Sequence, residues 1–173
     1  MHYAPKSKLS YAEAVQIIVK AFHLTFDKLR LFKLPNASNF YPNVMNDAWY
    51  SNSFIIAHFN GVVIPKDVNP SSTITREQFT KLLIPVLGRK YNLPMIKISA
   101  NVKDQDQITP DIESFALRLI HYRITELDKD GNFLPKNELT RGEATTWVYN
   151  ALHVTSAQKP SLSDKVTVSI EDE

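Results

Sequence analysis

One pattern is written three times along this chain at a fixed interval of 65 residues. Pro5-Lys6-Ser7-Lys8-Leu9-Ser10-Tyr11-Ala12-Glu13 returns as Pro70-Ser71-Ser72-Thr73-Ile74-Thr75-Arg76-Glu77-Gln78, and again as Pro135-Lys136-Asn137-Glu138-Leu139-Thr140-Arg141-Gly142-Glu143. The register then continues without a gap. Ala14, Ile17, Ile18, Ala21 and Phe22 align with Phe79, Leu82, Leu83, Val86 and Leu87, and with Ala144, Trp147, Val148, Ala151 and Leu152. These are i, i+3, i+4, i+7 and i+8 positions, one apolar helix face in triplicate. A short unit with one such face cannot bury it alone, so the fold is set by how the copies cover one another. Equal copies with equal faces predict equivalent environments about an approximate threefold axis.

Each of these helices opens with Ser10, Thr75 or Thr140, followed three residues later by Glu13, Gln78 or Glu143. That spacing lets hydroxyl and carboxylate or amide satisfy each other's backbone donors, so helices are expected to start at these three residues. Leu9, Ile74 and Leu139 stand just before the caps as hydrophobic staples, and Leu83 and Val148 are expected in the core. Pro85 falls inside the second helix, where it removes a hydrogen bond and predicts a kink.

A further helix is expected ahead of the second and third caps, over Asp47 to Phe59 and about Pro110 to Tyr122. The unit is therefore helix, loop, helix. The predicted fold is all-α, with helix-loop-helix repeats of about 65 residues in a pseudo-threefold arrangement. Its expected divisions are a partial first repeat at 1–28, a second at 29–91, a third at 92–154 and a tail at 155–173. By this register the first copy is expected to lack its leading helix, either because the sequence starts inside a repeat or because the natural protein is truncated there. In the tail, Val166, Val168 and Ile170 alternate and predict a strand or a frayed end.

Composition removes several function classes. Twenty lysines and arginines against eighteen aspartates and glutamates leave +2, with the signs interspersed, so no polyanion-binding surface and no nucleic-acid partner is expected. No run approaches the length of a membrane span, and the residues after Met1 do not read as a signal peptide. The absence of cysteine excludes disulfides, thiolate zinc sites and cysteine nucleophiles. The five histidines show no close metal spacing, and with four glycines there is no phosphate loop. Glu126, Asp128, Asp130, Gly131 and Phe133 fit part of a calcium loop, but Asn137 stands where a bidentate glutamate is required. The reading is a non-enzyme with no cofactor and no metal.

Three passages resemble the S-layer homology repeats that anchor proteins to bacterial cell walls. Ile74-Thr75-Arg76-Glu77 and Leu139-Thr140-Arg141-Gly142-Glu143 are similar to the family's Ile-Thr-Arg-Ala-Glu signature. Asp130-Gly131-Asn132-Phe133-Leu134-Pro135 is similar to its Asp-Gly-Thr-Phe-x-Pro loop. Asn43-Val44 and Asp47-Ala48-Trp49-Tyr50, with Phe54, Ala57, Gly61 and Val62, are similar to its tryptophan helix and terminal Gly-Ile. The departures are Tyr11 in place of the first arginine, Asp111 at the position of Trp49, Arg123 at that of Gly61, and a shortened second loop over 63–69.

The resemblance implies a secreted, extracellular module of the cell wall or S-layer, whose inter-repeat grooves bind secondary cell-wall polysaccharide, commonly pyruvylated. It implies glycan-binding roles for Arg76, Arg141, Thr75, Thr140, Trp49 and Gly61, and leaves other surface proteins as further partners. The alternative is a degenerate repeat domain that acts as a protein–protein assembly module.

The residues themselves admit more than one role. Arg76 and Arg141 place a cation in a first helical turn, against the macrodipole, at a cost of roughly 0.3–1 kcal/mol when exposed. Either a bound carboxylate or a neighbouring Asp or Glu would offset that. In the first case, replacing an arginine by alanine should leave stability unchanged or slightly raised. Trp49 reads as core by its spacing and as a sugar platform by the resemblance, and Trp147 reads as core.

Overall fold

The computed structural model describes residues 5–26, 33–91, 93 and 98–154. Among these the fold is all-α, with no strand: α1 (Tyr11–Ala21), α2 (Ser51–Phe59), α3 (Arg76–Tyr91), α4 (Pro110–His121) and α5 (Arg141–Leu152). The expected strand in the tail lies outside the described residues.

All three capping boxes form. Ser10 and Thr140 accept from the backbone of Glu13 and Glu143, whose carboxylates return to the cap nitrogens. At α3, Thr75 Oγ1 accepts from Gln78 N at 3.3 Å while Gln78 Oε1 accepts from Thr75 N at 2.9 Å. Helix starts read from the sequence are therefore the observed ones.

The segments that lead into these helices are tied together in a closed cycle. Leu9 N donates to Leu139 O (3.0 Å), Leu139 N to Ile74 O (2.9 Å) and Ile74 N to Leu9 O (3.0 Å). One step outward, Tyr11 N donates to Ser72 O, Arg76 N to Asn137 O and Arg141 N to Ser7 O. Beyond those, Ala12 N, Glu77 N and Gly142 N donate to the carbonyls of Pro70, Pro135 and Pro5. Each helix thus has first-turn amides, which no intrahelical carbonyl can satisfy, bonded to another copy's approach segment. Leu9, Ile74 and Leu139 are fully buried where the segments meet.

The apolar faces pack as their periodicity predicts. Ala14, Ile18, Phe79, Leu82, Leu83, Leu87, Ala144 and Ala151 are fully enclosed, and Trp147 and Val148 are buried with them. α1 meets both α3 and α5, α2 packs on α1, and α4 packs on α3. A second helix of one copy therefore carries the first helix of the next. Pro85 lies within α3, and the helix continues on its far side to Tyr91.

α4 begins at Pro110 as expected, but α2 begins at Ser51, four residues later than its apolar spacing predicts. The backbone before it is held in consecutive turns, with Ala48 N on Met45 O and Ser51 N on Ala48 O. Asn46 Oδ1 fixes them by accepting Ser38 N at 3.0 Å. α1, α2 and α4 end on residues of left-handed backbone, His23 (φ 51°), Gly61 (φ 66°) and Arg123 (φ 55°). Each donates backward into the last turn, and the next residue reaches further back, as in Val62 N to Ala57 O and Ile124 N to Leu119 O, both helix-terminating geometries.

Candidate functional site at the repeat junctions

Arg76 opens α3 and is 8% exposed. Its Nε donates to Phe133 O at 2.8 Å, one terminal nitrogen to Glu143 Oε1 at 3.1 Å, and the other to Thr125 Oγ1 at 3.4 Å. Its guanidinium carbon lies 5.3 Å from the Phe133 ring centre and 4.9 Å from that of Trp147, a double cation–π cradle. Burial pulls its pKa down, and Glu143 opposes that shift by charge and hydrogen bonding.

The cradle is built by the loop before α5. Asp104, itself buried, accepts Phe133 N at 2.7 Å and Leu134 N at 2.8 Å on its two carboxylate oxygens. Asp128 Oδ1 accepts Asp130 N and Asn132 N, folding the turn around Gly131 (φ 86°). Those amide bonds, that from Asn132 foremost, hold the Asp128 carboxyl below the usual aspartate range. The carboxylate that fitted a calcium position is thus engaged in turn formation.

Arg141 opens α5 in the corresponding place and is less enclosed, its side chain 37% exposed. One of its terminal nitrogens donates to Glu13 Oε1, and its Nε has no hydrogen-bond partner. The relation is the same as before: each arginine meets the third residue of another copy's helix. At the remaining junction the corresponding residues are Tyr11 and Gln78, neither of them charged. Tyr11 is buried, which pushes its phenol pKa up, with Tyr41 adding to the shift. The two departures from the pattern fall at corresponding positions of the same junction.

Thr75 and Thr140 accept the amides of Gln78 and Glu143, so the cap role holds at both. Trp49 is 63% exposed, which corrects its reading as core. It lies in the turn before α2, where the helical spacing that placed it inside does not apply. Its ring meets Tyr50 edge-on at 5.1 Å. Gly61 is overlaid by the Arg89 guanidinium, which donates to Asn60 O. Trp49 and Gly61 flank the two ends of a nine-residue helix, about 13 Å long. Among the described residues no ring contact joins Trp49 to Arg76 or Arg141. Trp147 is core, and its indole also faces Arg76.

Sequence reasoning missed the Glu77 network. Glu77 accepts Thr109 N at 3.0 Å and Thr109 Oγ1 at 2.9 Å, and pairs with Lys136, which links the start of α4 to α3. Burial works to raise its pKa, but the bonds from Lys136 and Thr109 outweigh that and hold it low. Two open grooves, of about 410 and 480 Å³, lie elsewhere, against Leu117 of α4 and between Phe22, Phe59 and Val86, and neither includes Arg76 or Arg141.

Residues 103–145 match the family model of the S-layer homology domain. The match runs from the residue before Asp104 through α4 and the Asp128–Pro135 loop to the first turn of α5. The chain therefore carries an S-layer homology domain over this stretch. No curated protein matches the chain.

Proposed function

We propose that this chain is a non-catalytic, extracellular anchor that holds its cargo to secondary cell-wall polysaccharide, including pyruvylated forms, through junctions between S-layer homology repeats. A domain of this family is generally a cell-wall anchoring module, and the match over 103–145 carries the reading. The repeats are assigned to 1–28, 29–91 and 92–154, arranged about a pseudo-threefold axis, with 155–173 as a tail. The nine cyclic backbone bonds between approach segments support that arrangement.

Arg141 is the leading candidate for a glycan carboxylate. It is the more exposed of the two arginines, and its pair with Glu13 is partly open to water, so a glycan carboxylate can compete for its terminal nitrogens. Arg76 keeps its fork on protein acceptors and contributes chiefly by shaping the junction. Thr75, Thr140, Trp49 and Gly61 complete the proposed contacts, Trp49 through its exposed indole. The test is co-sedimentation with purified wall sacculi before and after removal of the secondary polymer. Binding that disappears on stripping supports the reading; no binding to either preparation overturns it.

One observation favours the assembly-module alternative: both arginines form ion pairs between copies, so neither requires a ligand to offset its position. Sacculus binding that survives stripping of the polymer but is lost when surface proteins are extracted would select it.

A further inference from the structure

The second helices of the three copies differ in what covers them. On α1, which carries α2, the stripe of Ala12, Val15 and Val19 is buried, and on α3, which carries α4, so is the equivalent stripe of Glu77, Thr80 and Ile84. On α5 the same positions are Gly142, Thr145 and Tyr149. Thr145 and Thr146 are exposed, and Tyr149 is 61% exposed. Among the described residues no helix lies on this face.

The chemistry of the stripe changes with its exposure. Where a helix packs, the position of Tyr149 holds Val19 or Ile84, as an aliphatic contact requires. On α5 the Tyr149 ring is stacked on His153, with centres 4.2 Å apart and planes 28° apart. Thr145 and Thr146 donate to the carbonyls of Arg141 and Gly142, which leaves their oxygens outward as acceptors. Arg141, on the edge of the stripe, brings a cation whose pairing with Glu13 is partly open to water. An aromatic face, a row of hydroxyls and a competable cation suit a ligand with apolar ring faces, hydroxyls and a negative charge.

Resting on the wall-polysaccharide reading, we infer that the outward face of α5 is a binding surface for an acidic oligosaccharide, with a sugar ring on Tyr149 and a carboxylate of the same glycan at Arg141. Eight residues of helix separate the two, about 12 Å, so the surface spans more than one sugar ring.

The test is calorimetric titration of soluble wall-polysaccharide fragments, and of the same fragments with their carboxylates amidated. Variants are Tyr149→Ala, Tyr149→Phe and Arg141→Ala, each checked by thermal melt. Tyr149→Ala is expected to weaken binding roughly three- to tenfold, the loss of one aromatic stacking contact, while Tyr149→Phe stays close to the wild type. Amidation is expected to weaken binding to the wild type and to make no difference in Arg141→Ala. If the wild type binds and Tyr149→Ala binds equally well, this surface is refuted and the anchoring reading stands. If the wild type binds neither fragment, both fail. A change in sedimentation-equilibrium mass on Tyr149→Ala, with affinity unchanged, would mark the face as a protein contact and overturn the proposal.

Discussion

Arg76 and Glu143, 67 positions apart in the chain, are joined by an ion pair of 3.1 Å that links the first turns of α3 and α5. The same carboxylate closes the capping box of α5 through its other oxygen, which accepts Thr140 N at 2.8 Å. Glu13 does both for Arg141 and Ser10. A cation at a helix N-terminus is unfavourable in isolation, and here the offset is a carboxylate fixed by another copy's cap.

That geometry reverses, for Arg76, the expectation that removing a first-turn arginine is harmless. Arg76→Ala strips buried acceptors at Phe133 and Thr125 and empties the space between Phe133 and Trp147. The expected loss is about 2–3 kcal/mol. Arg141→Ala removes a pair that is partly exposed on both sides and should cost about 1 kcal/mol or less. Urea melts of the two variants measure the difference, and equal losses would contradict it.

Arg123 occupies a left-handed position that glycine adopts without strain, and its side chain is exposed. Arg123→Gly is expected to change stability by no more than a few tenths of a kcal/mol, or to raise it by up to about 1 kcal/mol. Gly61→Ala should lose about 1 kcal/mol, because its φ is 66° and the new methyl meets the Arg89 guanidinium. Thermal melts check both signs.

Glu77 gives the acid limb of stability a source. Its folded pKa lies below the usual glutamate value. Its contribution is therefore complete above the unfolded pKa and is lost as pH falls through the folded one. Glu77→Gln should be less stable than the wild type by about 1–2 kcal/mol at neutral pH. The gap should close on acidification below the glutamate range. Denaturant melts in a pH series test this, and a gap independent of pH would show that the carboxylate charge contributes nothing.

The repeat register made much of the fold legible, because three caps and three apolar faces must satisfy the same backbone and burial demands. It misjudged Trp49, since the spacing that places a side chain inside a helix says nothing about residues in the turn before it. It also left the partners of the arginines open. The signal was nevertheless present: arginine occurs with glutamate across two junctions, and tyrosine with glutamine across the third. Reading each copy by itself hides that, because the contact runs between copies. The exposure of Thr145 and Tyr149 on α5 escaped for a related reason, as burial there depends on which helix arrives and not on α5 itself.

The Tyr11–Gln78 junction allows the pairing to be rebuilt. Gln78→Glu keeps the cap acceptor for Thr75 N and adds a charge in the first turn, so alone it should be neutral or stabilising by up to about 1 kcal/mol. Tyr11→Arg alone places a cation in a buried site with no carboxylate and should cost about 2–4 kcal/mol. Together they recreate the pair seen at the other junctions, and the coupling should be favourable by about 1–2 kcal/mol. The double variant should still fall short of the wild type. In the 65-residue register the positions of Phe133 and Trp147 are Val68 and Leu82 here, so the guanidinium would lack the counterparts of those two rings. A double-mutant cycle by urea denaturation measures the coupling, and a value near zero would mean that the two residues do not face each other across the junction.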